Sequence, residues 1–231
     1  SVAQASFDAW VKYYRQDEQT PNSTISYYTK GSLVALCLDL TLRQEGKGTL
    51  DDVMRLLWQR SDGGPIDEAA VAQALETVGG RSYATEIARW VHSTDELPLS
   101  ELLRAHGVAT LDDPAQRAQE LGLRVAEGNG SVQVKVVLRG GAAEQAGMAA
   151  NDEWIGIELP PARRGQPAQA WRITKLDDLA LYLGPQKKMT AIIARDRRLL
   201  RLPMVLPEGV TTWRLFAKDA ALLGRWLTPT L

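Results

Sequence analysis

Residues 140–155 read Gly140-Gly141-Ala142-Ala143-Glu144-Gln145-Ala146-Gly147-Met148-Ala149-Ala150-Asn151-Asp152-Glu153-Trp154-Ile155. A glycine pair, a run of small residues and then Gly147 predict a short helix closed by a residue in the left-handed conformation. Asn151 and Asp152 follow as a tight turn, and asparagine is among the residues that most readily take positive φ. From Glu153 onward apolar and polar positions alternate, so a strand begins there.

Working outward, the same alternation predicts strands over Leu121–Val125, Val132–Leu138, Glu153–Leu159, Met189–Arg195 and Leu200–Leu206. Helices are expected over Ala142–Ala146 and Leu176–Leu183, and Pro160–Gln169, with Pro160, Pro161, Gly165 and Pro167, reads as a loop. Upstream of Val108 the period is 3.6 instead. A helix from Ser26 to Glu45 carries apolar residues nearly all round, and Thr49 is a good N-cap for the next, with Asp51 and Asp52 in its first turn. Further helices cover Glu68–Val78, a stretch after Ser82 with Ile87, Trp90 and Val91, and Leu99–Ala105. Phe7, Trp10, Val11 and Tyr14 recur at helical spacing, so the chain opens inside an element and reads as a fragment of something longer; Trp10 and Trp90 are expected in the core.

The fold class expected is α+β, an all-α N-terminal domain at 1–108, a linker at 109–117, a small β-barrel or sandwich with two helices at 118–206, and a tail at 207–231. Charge supports the division: residues 1–107 hold 10 basic and 15 acidic side chains, a net of −5, and residues 108–231 hold 17 and 13, a net of +4.

Composition narrows the chemistry. With 231 residues, 45% apolar and 24% charged, the chain is a globular protein able to bury real cores. A net charge of −1 argues against a nucleic-acid partner, and no run of about 18 apolar residues is present to span a bilayer. The single cysteine, Cys37, rules out an internal disulfide and reads as a small buried apolar residue. The two histidines, His92 and His106, have no metal-ligand spacing and are expected to play structural roles near helix C-termini.

The block quoted first, with Leu121-Gly122-Leu123 before it and Asp177-Asp178-Leu179 after it, resembles a bacterial-type PDZ domain. In that pattern Asn151 stands where the family usually has Gly. The resemblance implies binding of extended peptide or protein segments, including C-termini, by strand addition next to the loop Glu120-Leu121-Gly122-Leu123. The binding residues it implies are Leu121, Gly122, Leu123, Leu179 and Leu183, although for Leu179 and Leu183 a plain core role stands equally open. Glu120, in place of the eukaryotic family's Gly, puts a carboxylate beside the anion site, and Arg163 and Arg164 offer positive charge in the long loop.

Phe7-Asp8-Ala9-Trp10, Tyr13-Tyr14, Ser26-Tyr27-Tyr28-Thr29-Lys30-Gly31, Leu50-Asp51-Asp52-Val53-Met54 and Trp90-Val91-His92-Ser93-Thr94-Asp95-Glu96-Leu97-Pro98 carry a second likeness. Through them residues 7–107 resemble the helical end of the catalytic region in the glycyl aminopeptidase family of PDZ-containing zinc metallopeptidases. It implies a bacterial aminopeptidase whose zinc site lies in an upstream catalytic region, with no cofactor held by this chain and no activity from it alone. It also implies that Tyr28 donates a hydrogen bond to the tetrahedral intermediate, with the adjacent Tyr27 as the alternative donor. Gly31, Ser32 and Ala35 fall on the same helix side as Tyr28. The competing expectation is a non-catalytic scaffold that recruits peptides through its PDZ module.

Overall fold

The computed structural model of the chain describes residues 1–161 and 166–228. Helix α1 (Val2–Phe7), a π-turn (Ala9–Tyr13), α2 (Thr20–Ser23), α3 (Tyr27–Gln44), α4 (Leu50–Ser61), α5 (Glu68–Gly79), α6 (Ala84–Ile87), a second π-turn (Ala88–His92) and α7 (Leu99–Ala105) come first. Then follow β1 (Val108–Pro114), α8 (Arg117–Leu121), β2 (Leu123–Gly128), β3 (Ser131–Val137), α9 (Ala142–Gln145), β4 (Glu153–Leu159), β5 (Gln169–Arg172), α10 (Asp178–Leu183), β6 (Lys188–Arg195), β7 (Arg198–Val205), β8 (Thr211–Ala217) and α11 (Ala220–Leu227). Among the described residues no helix is long and apolar enough to cross a membrane.

Two compact units result, and neither is continuous in sequence. One comprises Ser1–Arg15, Thr24–Leu111 and the chain from Trp213; the other comprises Gln16–Ser23 and Asp112–Thr212. Residues 109–117 and 207–231, read from sequence as linker and tail, carry regular structure: β1 and β8 pair as a two-stranded ribbon and α11 follows. Every residue of β8 is exposed, so that strand has no buried alternation to betray it.

The first unit is a helical bundle around Cys37, Leu38, Leu40, Leu42, Val53, Leu57, Leu75, Trp90, Leu102 and Leu103, with Leu223 and Trp226 of α11 packed on its margin. The helix ends follow their caps. Ser26 Oγ accepts the Thr29 N–H at 3.2 Å, and Thr49 forms a reciprocal capping box with Asp52. Trp10 departs from expectation, being 80% exposed. Ala5 and Ala9 take the buried positions of α1 and its π-turn, which leaves Phe7, Trp10, Val11 and Tyr14 on an open face.

The second unit is built on a six-stranded antiparallel sheet in the order β2-β3-β4-β6-β7, with β5 paired to β4. The expected barrel is corrected here: β2 and β7 are the two ends of an open path. Its core lies against helices rather than inside a closed cylinder. Trp154, Ile157, Ala191 and Ile193 of the sheet pack with Leu121 of α8, Ala142 and Ala143 of α9, and Leu179 and Leu183 of α10.

The turn that decides this fold forms as its residues dictate. Gly147 has φ +84° and Asn151 φ +70°, both in the left-handed region. Asp152 is fully buried; its carboxylate accepts two bonds from Arg195, at 2.7 and 2.8 Å, and one from the Ala149 N–H at 2.8 Å. Residues 16–23 join this unit through Asn22, whose amide donates to the Val137 carbonyl at 2.8 Å and accepts from the Arg139 N–H at 2.9 Å, extending the end of β3 as a strand would.

Candidate functional site

In the first unit the N-terminus of α3 gathers four phenols. The π-turn brings this about: the Tyr14 N–H bonds the Ala9 carbonyl at 3.0 Å, and the extra residue in the turn sets Tyr13 and Tyr14 toward Tyr27 and Tyr28. Tyr14 Oη lies 3.0 Å from Tyr28 Oη and 3.3 Å from Tyr27 Oη. The rings of Tyr27 and Tyr28 stand 4.3 Å apart, and Tyr13 packs edge-on to Tyr27 at 5.1 Å. Tyr13 Oη also reaches the capping Ser26 Oγ at 3.3 Å.

Tyr28 is 58% exposed in the first turn of an 18-residue helix, whereas Tyr27 is half-buried. The two titrate apart. The bonds from Tyr14, and then Tyr27, hold the Tyr28 phenol below its ordinary value, while those with Tyr14 and then Tyr28 raise Tyr27. Lys30 donates to the Asp95 carbonyl at 3.3 Å, and a methyl group placed on Gly31 would meet only Val2 Cγ1, at 4.0 Å.

Neither histidine converges on this cluster. His92 Nε2 sits 2.9 Å from both oxygens of Glu68, and buried His106 uses Nδ1 on the Leu102 carbonyl at 2.8 Å. Among the described residues no three His, Cys, Asp or Glu side chains come together to hold a metal ion, so the donor set for zinc does not exist in them. Cys37 is fully buried, and burial pushes its thiol up to about 11, which leaves no thiolate at neutral pH.

In the second unit the residues singled out for peptide binding adjoin one another, but mostly below the surface. Leu121, Leu123, Leu179 and Leu183 all belong to the buried core. Gly122 has φ +71° and faces Gly141 so closely that a methyl group on it would come 2.9 Å from Gly141 Cα. Its N–H is already bonded to the Gln119 carbonyl, at 3.1 Å, and the Glu120 N–H to that of Gln116, at 2.9 Å. The Glu120 carboxylate is paired with Arg117. Strand β2 keeps an outer side that no described strand covers, and Glu127 on it accepts the Leu176 N–H at 2.8 Å, tying this edge to the segment that leads into α10. Arg163 and Arg164 lie outside the described residues.

The phenolic partnership of Tyr14 was not visible in the sequence. Its one trace is that Tyr13-Tyr14 and Tyr27-Tyr28 are both doublets.

Comparison with known proteins gives this geometry a context. Residues 1–34, which contain all four clustered tyrosines, match the family model of the M61 glycyl aminopeptidases. Among solved structures the chain is similar to the crystal structure of an aminopeptidase N family protein from Idiomarina loihiensis, at 29% identity and a TM-score of 0.79 over 97% of this chain. The chain spans 40% of the length of that protein. The PDZ domain of a carboxy-terminal protease from Vibrio cholerae, solved in complex with peptide, also aligns, at 15% identity over 46% of this chain and 97% of that one; its TM-score of 0.28 is too low to argue from. No curated protein sequence matches the chain significantly. The first two findings support a peptidase-related chain of the M61 glycyl aminopeptidase type.

Proposed function

We propose that the chain is the C-terminal part of a bacterial zinc-dependent aminopeptidase, in which the helical unit supplies Tyr28 to the reaction and the second unit is a PDZ-like module for peptide segments. The observation that carries this reading is the placement of Tyr28. It lies within the segment matched to the peptidase family, it is exposed, and it stands in the first turn of a long helix. Such a phenol stays protonated at neutral pH and donates a hydrogen bond, and the positive end of the helix favours an oxyanion beside it. A developing negative charge on the tetrahedral intermediate is what that donor would meet.

Zinc has no ligand set among the described residues; its ligands would lie in the upstream catalytic region, and the chain by itself is expected not to hydrolyse peptides. The open face of Phe7, Trp10 and Val11 is the surface we assign to an upstream catalytic region, in keeping with the part of the solved relative to which this chain has no counterpart. In the second unit the free edge of β2 suits strand addition of a peptide. Capture of a terminal carboxylate is less well served, because the Gly122 N–H is already in use.

The test is Tyr28→Phe in the full-length protein. Turnover should fall about 100-fold or more with KM little changed, the size of effect seen when one oxyanion donor is removed. The same substitution in this chain should leave its melting temperature unaltered, since the phenol is exposed. An unchanged kcat would overturn the assignment of Tyr28.

A further inference from the structure

We infer that Tyr14 is the positioning residue of this site: its hydroxyl accepts a hydrogen bond from Tyr27 and donates its own proton to Tyr28, leaving the Tyr28 O–H free to point at a reacting group. The functional meaning of this chain of phenols rests on the reading of Tyr28 given above; the hydrogen-bond order itself does not.

Each phenol carries one proton and can accept as well. Tyr14 Oη touches both neighbours, at 3.0 and 3.3 Å, so it can donate to only one of them. The shorter contact is to Tyr28. If Tyr14 donated to Tyr27 instead, Tyr28 would spend its own proton on Tyr14 and have none to offer. The opposed shifts of the outer two phenols come first from their bonds to Tyr14 and then from their bond to each other. The share from Tyr14 has the sign of the order Tyr27 to Tyr14 to Tyr28: the one that accepts ionises more readily, and the one whose proton is held ionises less readily. Charged groups on the same elements are engaged elsewhere, Lys12 with Asp8 at 2.6 Å and Lys30 with the Asp95 carbonyl at 3.3 Å. The Tyr14 ring also packs against that of Trp10, with centroids 5.1 Å apart.

The consequence is a polarised donor. Hydrogen bonds in series strengthen one another, and as negative charge grows next to Tyr28 its oxygen gains phenolate character that the Tyr14 O–H stabilises. No proton need leave any of the three residues. A phenylalanine at position 14 would keep the ring packing and remove only this support.

The test uses this chain labelled with 13Cζ-tyrosine and titrated by NMR, each signal assigned from a single Tyr→Phe variant. In the unaltered chain Tyr28 should ionise at lower pH than Tyr27. In Tyr14→Phe the gap should narrow, each phenol moving toward the ordinary tyrosine value near 10, with a remainder from the direct contact of Tyr27 and Tyr28. In Tyr13→Phe, which removes the contact to Ser26 alone, the gap should persist. A gap undiminished in Tyr14→Phe, or a Tyr27 that ionises first in the unaltered chain, overturns the order of donation. In the full-length protein Tyr14→Phe should lower kcat about 10-fold at constant KM, and Tyr14→Phe added to Tyr28→Phe should cost nothing more; an additive double variant overturns the positioning role. Should Tyr28→Phe prove silent in turnover while the NMR gap narrows in Tyr14→Phe, the functional reading falls and the phenol chain stands.

Discussion

The Asp152–Arg195 pair of the sheet unit and the tyrosine cluster of the helical unit are both hydrogen-bonded groups aligned by an unusual turn of backbone, yet they are opposites in setting. Asp152 is fully buried and charged, whereas Tyr28 is more than half exposed and neutral. A buried charge must be compensated wherever it stands, so its partners are fixed by stability. Exposed phenols bonded to one another gain little over the same phenols bonded to water. The first arrangement is explained by folding alone. The second is not, and it coincides with the family-matched segment.

The largest expected effect breaks the first arm of this contrast. Asp152→Ala removes the acceptor of two Arg195 bonds and of the Ala149 N–H. Breaking a buried pair costs about 3–5 kcal/mol, and the lower figure applies because the Arg195 side chain is 31% exposed and can regain water. Urea denaturation of this chain measures it. A loss under about 1 kcal/mol would mean that the turn is held by its backbone alone, and the contrast with the phenols would disappear.

A second, smaller loss is expected from Gly122→Ala. The alanine would have to hold φ at +71° with its methyl 2.9 Å from Gly141 Cα, so about 2 kcal/mol is expected from left-handed strain plus the displaced backbone. Gly224→Ala, on an exposed helix where no atom lies within 4 Å of the added methyl, is the matched control and should not destabilise.

How much of this was legible in the sequence follows from the same division. The stretch at 140–155 announced its helix, its left-handed glycine and its turn because every determinant lies within a few residues. The caps at Ser26 and Thr49 were readable for that reason too. What escaped is non-local. Strand β8, exposed along its whole length, pairs with β1 about a hundred residues away, and Asn22 completes the end of β3 from 115 residues away. Trp10 was expected inside because helical spacing tells which residues share a face but not which face is buried; two alanines took the inner positions instead. Tyr28 is singled out by a family resemblance alone. Its partner Tyr14 is not, since a π-turn sets its direction and periodicity does not predict one.

A cluster intermediate between the two extremes supplies the finest test. Tyr83 is buried and donates to Glu45 at 2.5 Å, while Arg81 bonds the other Glu45 oxygen at 2.7 and 3.0 Å and lies over the Tyr83 ring, 4.0 Å from its centroid. Burial alone would raise the Glu45 carboxyl, but the bonds from Arg81 and Tyr83 outweigh it and hold it below its ordinary value of 4.5. Burial and the Glu45 charge both raise Tyr83 above its ordinary 10. The signs then follow. Glu45 ionises more readily in the folded state, so its contribution exists above pH 4.5 and is lost as pH falls through the lowered folded value. Tyr83 keeps its proton longer when folded, so its contribution is present below pH 10 and is lost as pH rises through the folded value. Tyr83→Phe should therefore cost about 1.5 kcal/mol at pH 7, as expected for one hydrogen bond to a charged group still paired with arginine. The cost should shrink at the acid end, where Glu45 is protonated in both proteins, and at the alkaline end, where unfolding releases the Tyr83 proton. A cost that stays the same as pH falls from 7 through the range where Glu45 takes up its proton would show that Tyr83 acts through packing alone, and that a buried phenol with partly exposed partners belongs with the exposed cluster rather than with Asp152.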